Sequence, residues 1–252
     1  LLFVVTSFAD RNGTKRNRFV INKYNPRGRI NGPMANTLYL PNLFCEVNIF
    51  ELFREKLKDT INACAARIGR APAIISTSSA TGIPLADESI DYIFTAPPFG
   101  HNIQYSELNL SLEAILGVFT NSEGDLVVNE VVEKDIDFYR RKIQRAFSEY
   151  YRVLKSGRWI TVEFSNTQAA IWNSIQTALS ESGFVIASVD ALDKKRGGMH
   201  STLGVTAVKQ DLAITAYKPS RDLEAQFVNA KNTVETAWSF VQDYLGKLPV
   251  VR

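Results

Sequence analysis

The spacing of apolar residues changes several times along the chain, and each change marks an element. Residues 1–9 read as the end of a helix. Residues 10–36 are polar, basic and rich in Gly, Asn and Pro, so they read as loop. Thr37–Leu40 reads as a short strand. From Asn48 to about Ile68 the residues Phe50, Phe53, Leu57 and Ile61 recur every three or four positions, the period of an amphipathic helix, and Gly69 is placed to cap it. Beyond this point strand and helix signals alternate. Apolar runs predict strands at Ala73–Ser76, Ile90–Thr95, Arg158–Phe164, Phe184–Asp190 and Leu212–Tyr217. Helical spacing predicts helices over Gln104–Gly117, Ile136–Leu154, Thr167–Ser182 and about Arg221–Leu245, while residues 118–134 are acidic and irregular. In Ile136–Leu154 the apolar stripe is Tyr139, Ile143, Phe147, Tyr150 and Leu154, and Arg140, Arg141, Lys142 and Arg145 take the opposite face.

Strand–helix alternation argues for an α/β fold with a mostly parallel sheet. Phe184–Asp190 and Leu212–Tyr217 have no helix between them, so they are expected to pair antiparallel as a terminal hairpin. The expected organisation is a basic loop and helix over 1–68, a core over 69–220 and a C-terminal helix over 221–252.

Composition narrows the class. The chain has 252 residues, 45% apolar and 22% charged, which is ordinary globular usage. No apolar run reaches the roughly 18 residues of a membrane span. No basic stretch precedes Leu1–Val5, so a signal peptide is not expected and a cytoplasmic location is. Two cysteines (Cys45, Cys64) and two histidines (His101, His200) cannot build a disulfide framework and leave little for a metal centre, so no metal is expected. The chain opens without Met and reads like the middle of a longer protein. Charge is uneven: seven cations against Asp10 leave residues 1–35 at +6, within a chain whose total is only +3. Such asymmetry suits either a polyanion contact or a solvated basic loop.

The sharpest chemistry lies in Asp91-Tyr92-Ile93-Phe94-Thr95-Ala96-Pro97-Pro98-Phe99-Gly100, a strand that stops abruptly at two prolines. In open α/β sheets ligands bind outside the carboxyl ends of strands, which is where Ala96–Phe99 falls. The whole stretch Ile83–Gly117 resembles the catalytic region of amino-directed, adenine-type bacterial DNA methyltransferases, whose motif strand ends in Asp-Pro-Pro-Phe or Asp-Pro-Pro-Tyr. Ala96, Pro97, Pro98 and Phe99 occupy those places. Asn102-Ile103-Gln104-Tyr105-Ser106-Glu107-Leu108 is similar to the segment that follows the motif. Tyr151-Arg152-Val153-Leu154-Lys155-Ser156-Gly157-Arg158-Trp159 is similar to the family's lead-in to the next strand, and Val208–Leu212 with Ala216–Pro219 to its terminal hairpin. The resemblance covers roughly residues 37–220.

It implies a Rossmann-like, S-adenosylmethionine-dependent fold, incomplete on its N-terminal side, and a methyl transfer to an exocyclic base amine of DNA, with adenine N6 favoured. It also implies a modification role of the kind found in restriction–modification systems. In the family the motif carboxylate and the carbonyl after it accept the amine's hydrogens, and the aromatic residue stacks on a flipped base. Pro97 keeps its carbonyl and Phe99 its ring, but Ala96 has no acceptor, so the chain as written is expected to be impaired. An engineered Asp-to-Ala change and a natural loss both account for Ala96. The family's glycine-rich donor loop has no counterpart, which points to a missing N-terminal segment or another subunit. Ser79, Ala80 and the backbone near Thr95 are the implied remnants of the donor pocket. Asn102 and Tyr105 are candidate target-pocket residues, and Lys194, Lys195 and Arg196, with the basic N-terminal loop, are candidate DNA-phosphate contacts. The alternatives are a non-catalytic nucleic-acid-binding subunit with this fold, and an RNA or protein amine methyltransferase.

Overall fold

The computed structural model describes residues 1–7, 16–34, 37–45, 47–66, 73–101, 103–165, 168–192 and 211–220. The expected helix over 221–252 lies outside them. The chain divides into two compact units, one of residues 1–75 and 104–125, the other of residues 76–103 and 126–252.

In the first unit a short helix α1 (Leu2–Thr6) is followed by two antiparallel strands, β1 (Arg18–Asn22) and β2 (Asn25–Asn31). The segment expected to be loop is thus a hairpin. Its register runs from Arg18 opposite Asn31 to Asn22 opposite Asn25, with an irregularity between Val20 and Asn22. Gly28 makes the pairing feasible: its φ is +82°, and a Cβ there would lie 2.0 Å from the Phe19 ring. Thr37–Leu40 is irregular rather than a strand. Helix α2 (Ile49–Ala65) starts at Asn48, whose side chain accepts from the Phe50 amide. The single helix expected over Gln104–Gly117 is two, α3 (Tyr105–Leu108) and α4 (Leu110–Leu116). At their junction the Asn109 amide donates to the Ser106 carbonyl, a three-residue bond that tightens the turn. Gly117, at φ +67°, ends α4.

The second unit is an α/β layer. A four-stranded mixed sheet has the order β3 (Ile90–Thr95), β4 (Leu154–Phe164), β6 (Asp211–Tyr217), β5 (Val185–Leu192). Strands β3 and β4 are parallel, while β6 runs antiparallel to both β4 and β5, giving the expected terminal hairpin. Helices α5 (Ile136–Val153) and α6 (Ala169–Glu181) pack against each other beside the sheet. The predicted stripe of α5 is the core: Tyr139, Ile143 and Phe147 are buried with Ile160, Val162 and Phe164 of β4, Ile171, Ile175 and Leu179 of α6, and Ile214 and Ala216 of β6. Alternate residues of β4 are buried, so one sheet face carries the helices.

Ala73–Ser76 is not a strand. Ile74 and Ile75 are 96% and 95% exposed, and among the described residues this apolar run has no neighbour whose ladder it could join. Among the described residues β3 is therefore the edge strand, and its Tyr92 and Phe94 are 54% and 60% exposed.

Arg152, near the end of α5, fastens the lead-in to β3. Its guanidinium donates to the Ile83 and Leu85 carbonyls, to Asp87 and to both oxygens of Glu149. Glu149 also accepts from the Ile83 amide. The Arg152 hydrogen bond, followed by that backbone amide, pulls the Glu149 carboxyl down from 4.5 to about 2. A depressed carboxyl lends stability that is complete above its ordinary value of 4.5 and is lost as pH falls toward about 2. The urea midpoint of the protein is expected to fall across that window, and Glu149→Gln to fall less. Parallel decline of the two would remove the assignment.

A second lock closes the base of the sheet. The buried Lys218 ammonium donates to the Tyr151 and Leu154 carbonyls, both at 2.9 Å, and pairs with Glu88 at 3.2 Å. Glu88 also accepts from Ser156, and its backbone is left-handed at φ +49°.

Candidate active site

The motif loop leaves the carboxyl end of β3, as the strand-end argument requires. Parallel pairing with β4 runs through Thr95 opposite Val162, and there the two prolines end it, since neither has an amide hydrogen to donate. Ala96 is exposed, Pro97 and Gly100 are buried, and Pro98 and Phe99 are half-buried.

Three contacts set the shape of this loop. The buried Tyr139 of α5 donates its hydroxyl to the Pro98 carbonyl at 2.8 Å. The Val128 amide donates to the Gly100 carbonyl at 3.2 Å. The Phe99 ring meets Phe164, the last residue of β4, edge to face at a centroid distance of 5.4 Å, and Phe164 in turn adjoins Trp172 of α6 at 6.3 Å. Thr95 lies 3.3 Å, hydroxyl to hydroxyl, from Tyr150.

The loop thus has two carbonyls with different duties. That of Pro98 is engaged by Tyr139, whereas among the described residues no hydrogen bond takes the Pro97 carbonyl. At position 96 the methyl group of Ala96 offers no second acceptor.

Beside the loop lies an open pocket of about 650 Å³ lined by His101, Asn129, Glu130, Asp135, Gln168 and apolar neighbours. The His101 Nε2 is 3.4 Å from the Gln168 side-chain amide. Asp135 caps α5 by accepting from the Phe138 amide at 2.7 Å. The sequence pattern does not mark this pocket, because its wall over residues 128–136 is brought to the loop only by packing. The same holds for the Tyr139 hydroxyl, since a tyrosine on an apolar stripe carries no sign of where its oxygen points.

The other expected site residues are distributed as follows. Asn102, Lys194, Lys195 and Arg196 lie outside the described residues. Tyr105 is the first residue of α3 and belongs to the first unit. Ser79 and Ala80 follow the irregular stretch 73–78 rather than the strand expected there. The Ser79 hydroxyl is 2.9 Å from that of Thr81 and accepts from the Thr81 amide, a local turn. Among the described residues no group of His, Cys, Asp and Glu could hold a metal ion, and no helix is long and apolar enough to cross a membrane.

The residues present fit an S-adenosylmethionine donor only in part. Ser79 is exposed, Ala80 and Thr95 are half-buried, and Ala96 is open to an approaching group. Gly82, which precedes β3, forms no close-packed cradle: open space lies where a Cβ would stand.

No protein-family model matches the chain, and no curated protein matches it. Solved structures do. A protein of Thermus thermophilus, TTHA0409, described as a candidate DNA modification methylase, is 14% identical over 63% of this chain and 56% of its own, with a TM-score of 0.36. A further structure of it is a complex with S-adenosyl-L-methionine (12% identity, 62% and 57% coverage, TM-score 0.34). A SAM-dependent methyltransferase of Methanosarcina mazei is 12% identical over 64% of this chain and 77% of its own, with a TM-score of 0.32. The cyclase SpnF is 13% identical over 66% and 64%, with a TM-score of 0.37. This chain spans between half and three-fifths of the length of TTHA0409.

Proposed function

We propose that this chain carries the target-amine half of an S-adenosylmethionine-dependent DNA methyltransferase, directed to an exocyclic base amine, adenine N6 first, and that Ala96 holds it in an impaired state. One observation carries the reading: a strand of a mixed α/β sheet ends, at its carboxyl edge, in Ala96-Pro97-Pro98-Phe99 with the Pro97 carbonyl unengaged among the described residues. An aryl amine is a weak nucleophile because its lone pair is shared with the ring. Accepting both of its hydrogens returns that pair to the nitrogen. Pro97 supplies one acceptor and an aspartate at 96 would supply the other. The donor, when bound, supplies the methyl group on a sulfonium. Ser79, Ala80 and the backbone at Thr95 are the donor-side residues of this proposal, and Asn102, Tyr105, Lys194, Lys195 and Arg196 its DNA-side residues.

Phe99 departs from the simplest form of this picture. Its ring is engaged edge-on by Phe164, so it offers a base only the side turned away from that contact.

Ala96 also favours a second reading, a non-catalytic nucleic-acid-binding subunit with this fold. Calorimetric titration with S-adenosylmethionine separates the two. Micromolar binding would show a donor pocket within this chain despite the missing glycine-rich loop and would favour the transferase. Duplex-DNA binding with no donor binding, unchanged in Ala96→Asp, would favour the subunit.

A further inference from the structure

The β1–β2 hairpin is an element that the proposed chemistry does not use. Residues 18–31 carry Arg18, Lys23, Arg27 and Arg29 and no acidic residue. Its base is fastened: the Phe19 amide donates to the Leu43 carbonyl at 3.1 Å, and the Arg18 side chain donates to the Gly32 carbonyl at 3.1 Å. Farther out, Lys23, Tyr24, Arg27 and Arg29 are exposed, and Lys23 lies over the Tyr24 ring at 4.8 Å. Arg27 and Arg29 are two residues apart on β2, so they project from the same side of the ribbon. Ile21 and Ile30 are exposed too.

A folded, acid-free, cationic ribbon with an aromatic tip is shaped for a polyanion. Two strands stand about 4.8 Å apart, and a two-stranded ribbon enters the roughly 12 Å major groove of B-DNA. The deep, narrow major groove of an RNA helix does not admit one. We infer that the β1–β2 hairpin is a duplex-DNA contact laid in the major groove, with Lys23, Arg27 and Arg29 on phosphates and Tyr24 at the leading tip. The choice of duplex DNA over other polyanions rests on the functional reading above.

The test is fluorescence anisotropy with a labelled duplex, for the chain as it stands and for K23A/R27A/R29A, over a series of salt concentrations. The variant is expected to bind about tenfold or more weakly, and its salt slope to flatten by about 0.9 for each phosphate that is no longer neutralised. R27K/R29K, which keeps the charge, should keep the slope. Far-UV circular dichroism and donor titration should be unchanged in both, so that a failure of the hairpin to bind DNA is told apart from loss of the fold or of the donor site. Equal binding by parent and triple variant would overturn the inference. So would displacement of the duplex by heparin or single-stranded RNA at the same charge concentration as by unlabelled duplex.

Discussion

Replacing Ala96 by Asp is expected to raise methyl incorporation into duplex DNA by about a hundred- to a thousandfold over the chain as written. The basis is local. The loop backbone is already fixed by Tyr139 on the Pro98 carbonyl and by Val128 on Gly100, so the new carboxylate would arrive on a preformed frame. Position 96 is exposed, so the carboxylate enters without a desolvation penalty. Labelled-methyl transfer to plasmid DNA measures the effect, with Ala96→Leu as the control that changes volume without adding an acceptor. An Ala96→Asp chain that binds donor and DNA yet stays at background would dismiss the two-acceptor account of this loop.

Phe164→Ala has the largest expected effect on stability, about 3–5 kcal/mol, the usual cost of emptying a buried phenylalanine site. Phe164 is fully buried at the end of β4, among α6 residues and beneath Phe99. The cavity would therefore open directly under the motif loop. Urea denaturation should show a lower midpoint with an unchanged slope, since the surface exposed on unfolding is nearly the same. A loss below about 1 kcal/mol would mean that Trp172 and Phe99 collapse into the space, and that the loop is less firmly seated than its contacts imply.

The elements that the sequence makes legible are those whose burial is one-sided and periodic. Helix α5 is legible because Tyr139, Ile143 and Phe147 recur at helical spacing. Strand β3 is legible because a short apolar run stops at two prolines. What misleads is pairing. Ala73–Ser76 has the composition of a strand but no partner among the described residues, where Ile74 and Ile75 are exposed. The hairpin has a partner but the composition of a loop, since its cross-strand fit depends on Gly28 admitting the Phe19 ring. Strand β4 begins at Leu154, four residues earlier than its apolar pattern, because Leu154 pairs with Ile90 across a polar Lys-Ser-Gly stretch.

At the candidate site the motif residues stand out in the sequence and the residues packed against them do not. Pro97, Pro98 and Phe99 announce themselves by type and order. Tyr139, Phe164 and Gln168 reach the loop through tertiary packing, from positions 40 to 70 residues later in the chain.

Lys218 limits how this chain can drift. An ammonium group has three donors, and here the Tyr151 carbonyl, the Leu154 carbonyl and the Glu88 carboxylate engage all three in a buried site. Lysine-to-arginine is commonly the gentlest exchange of a cation, but a planar fork cannot reproduce a tetrahedral set of three short contacts. Glu88 is bound by the same geometry: glycine would suit its left-handed backbone better, yet would leave the lysine charge without its counterion. Neutral wandering at either position is closed, and the pair can be exchanged only together.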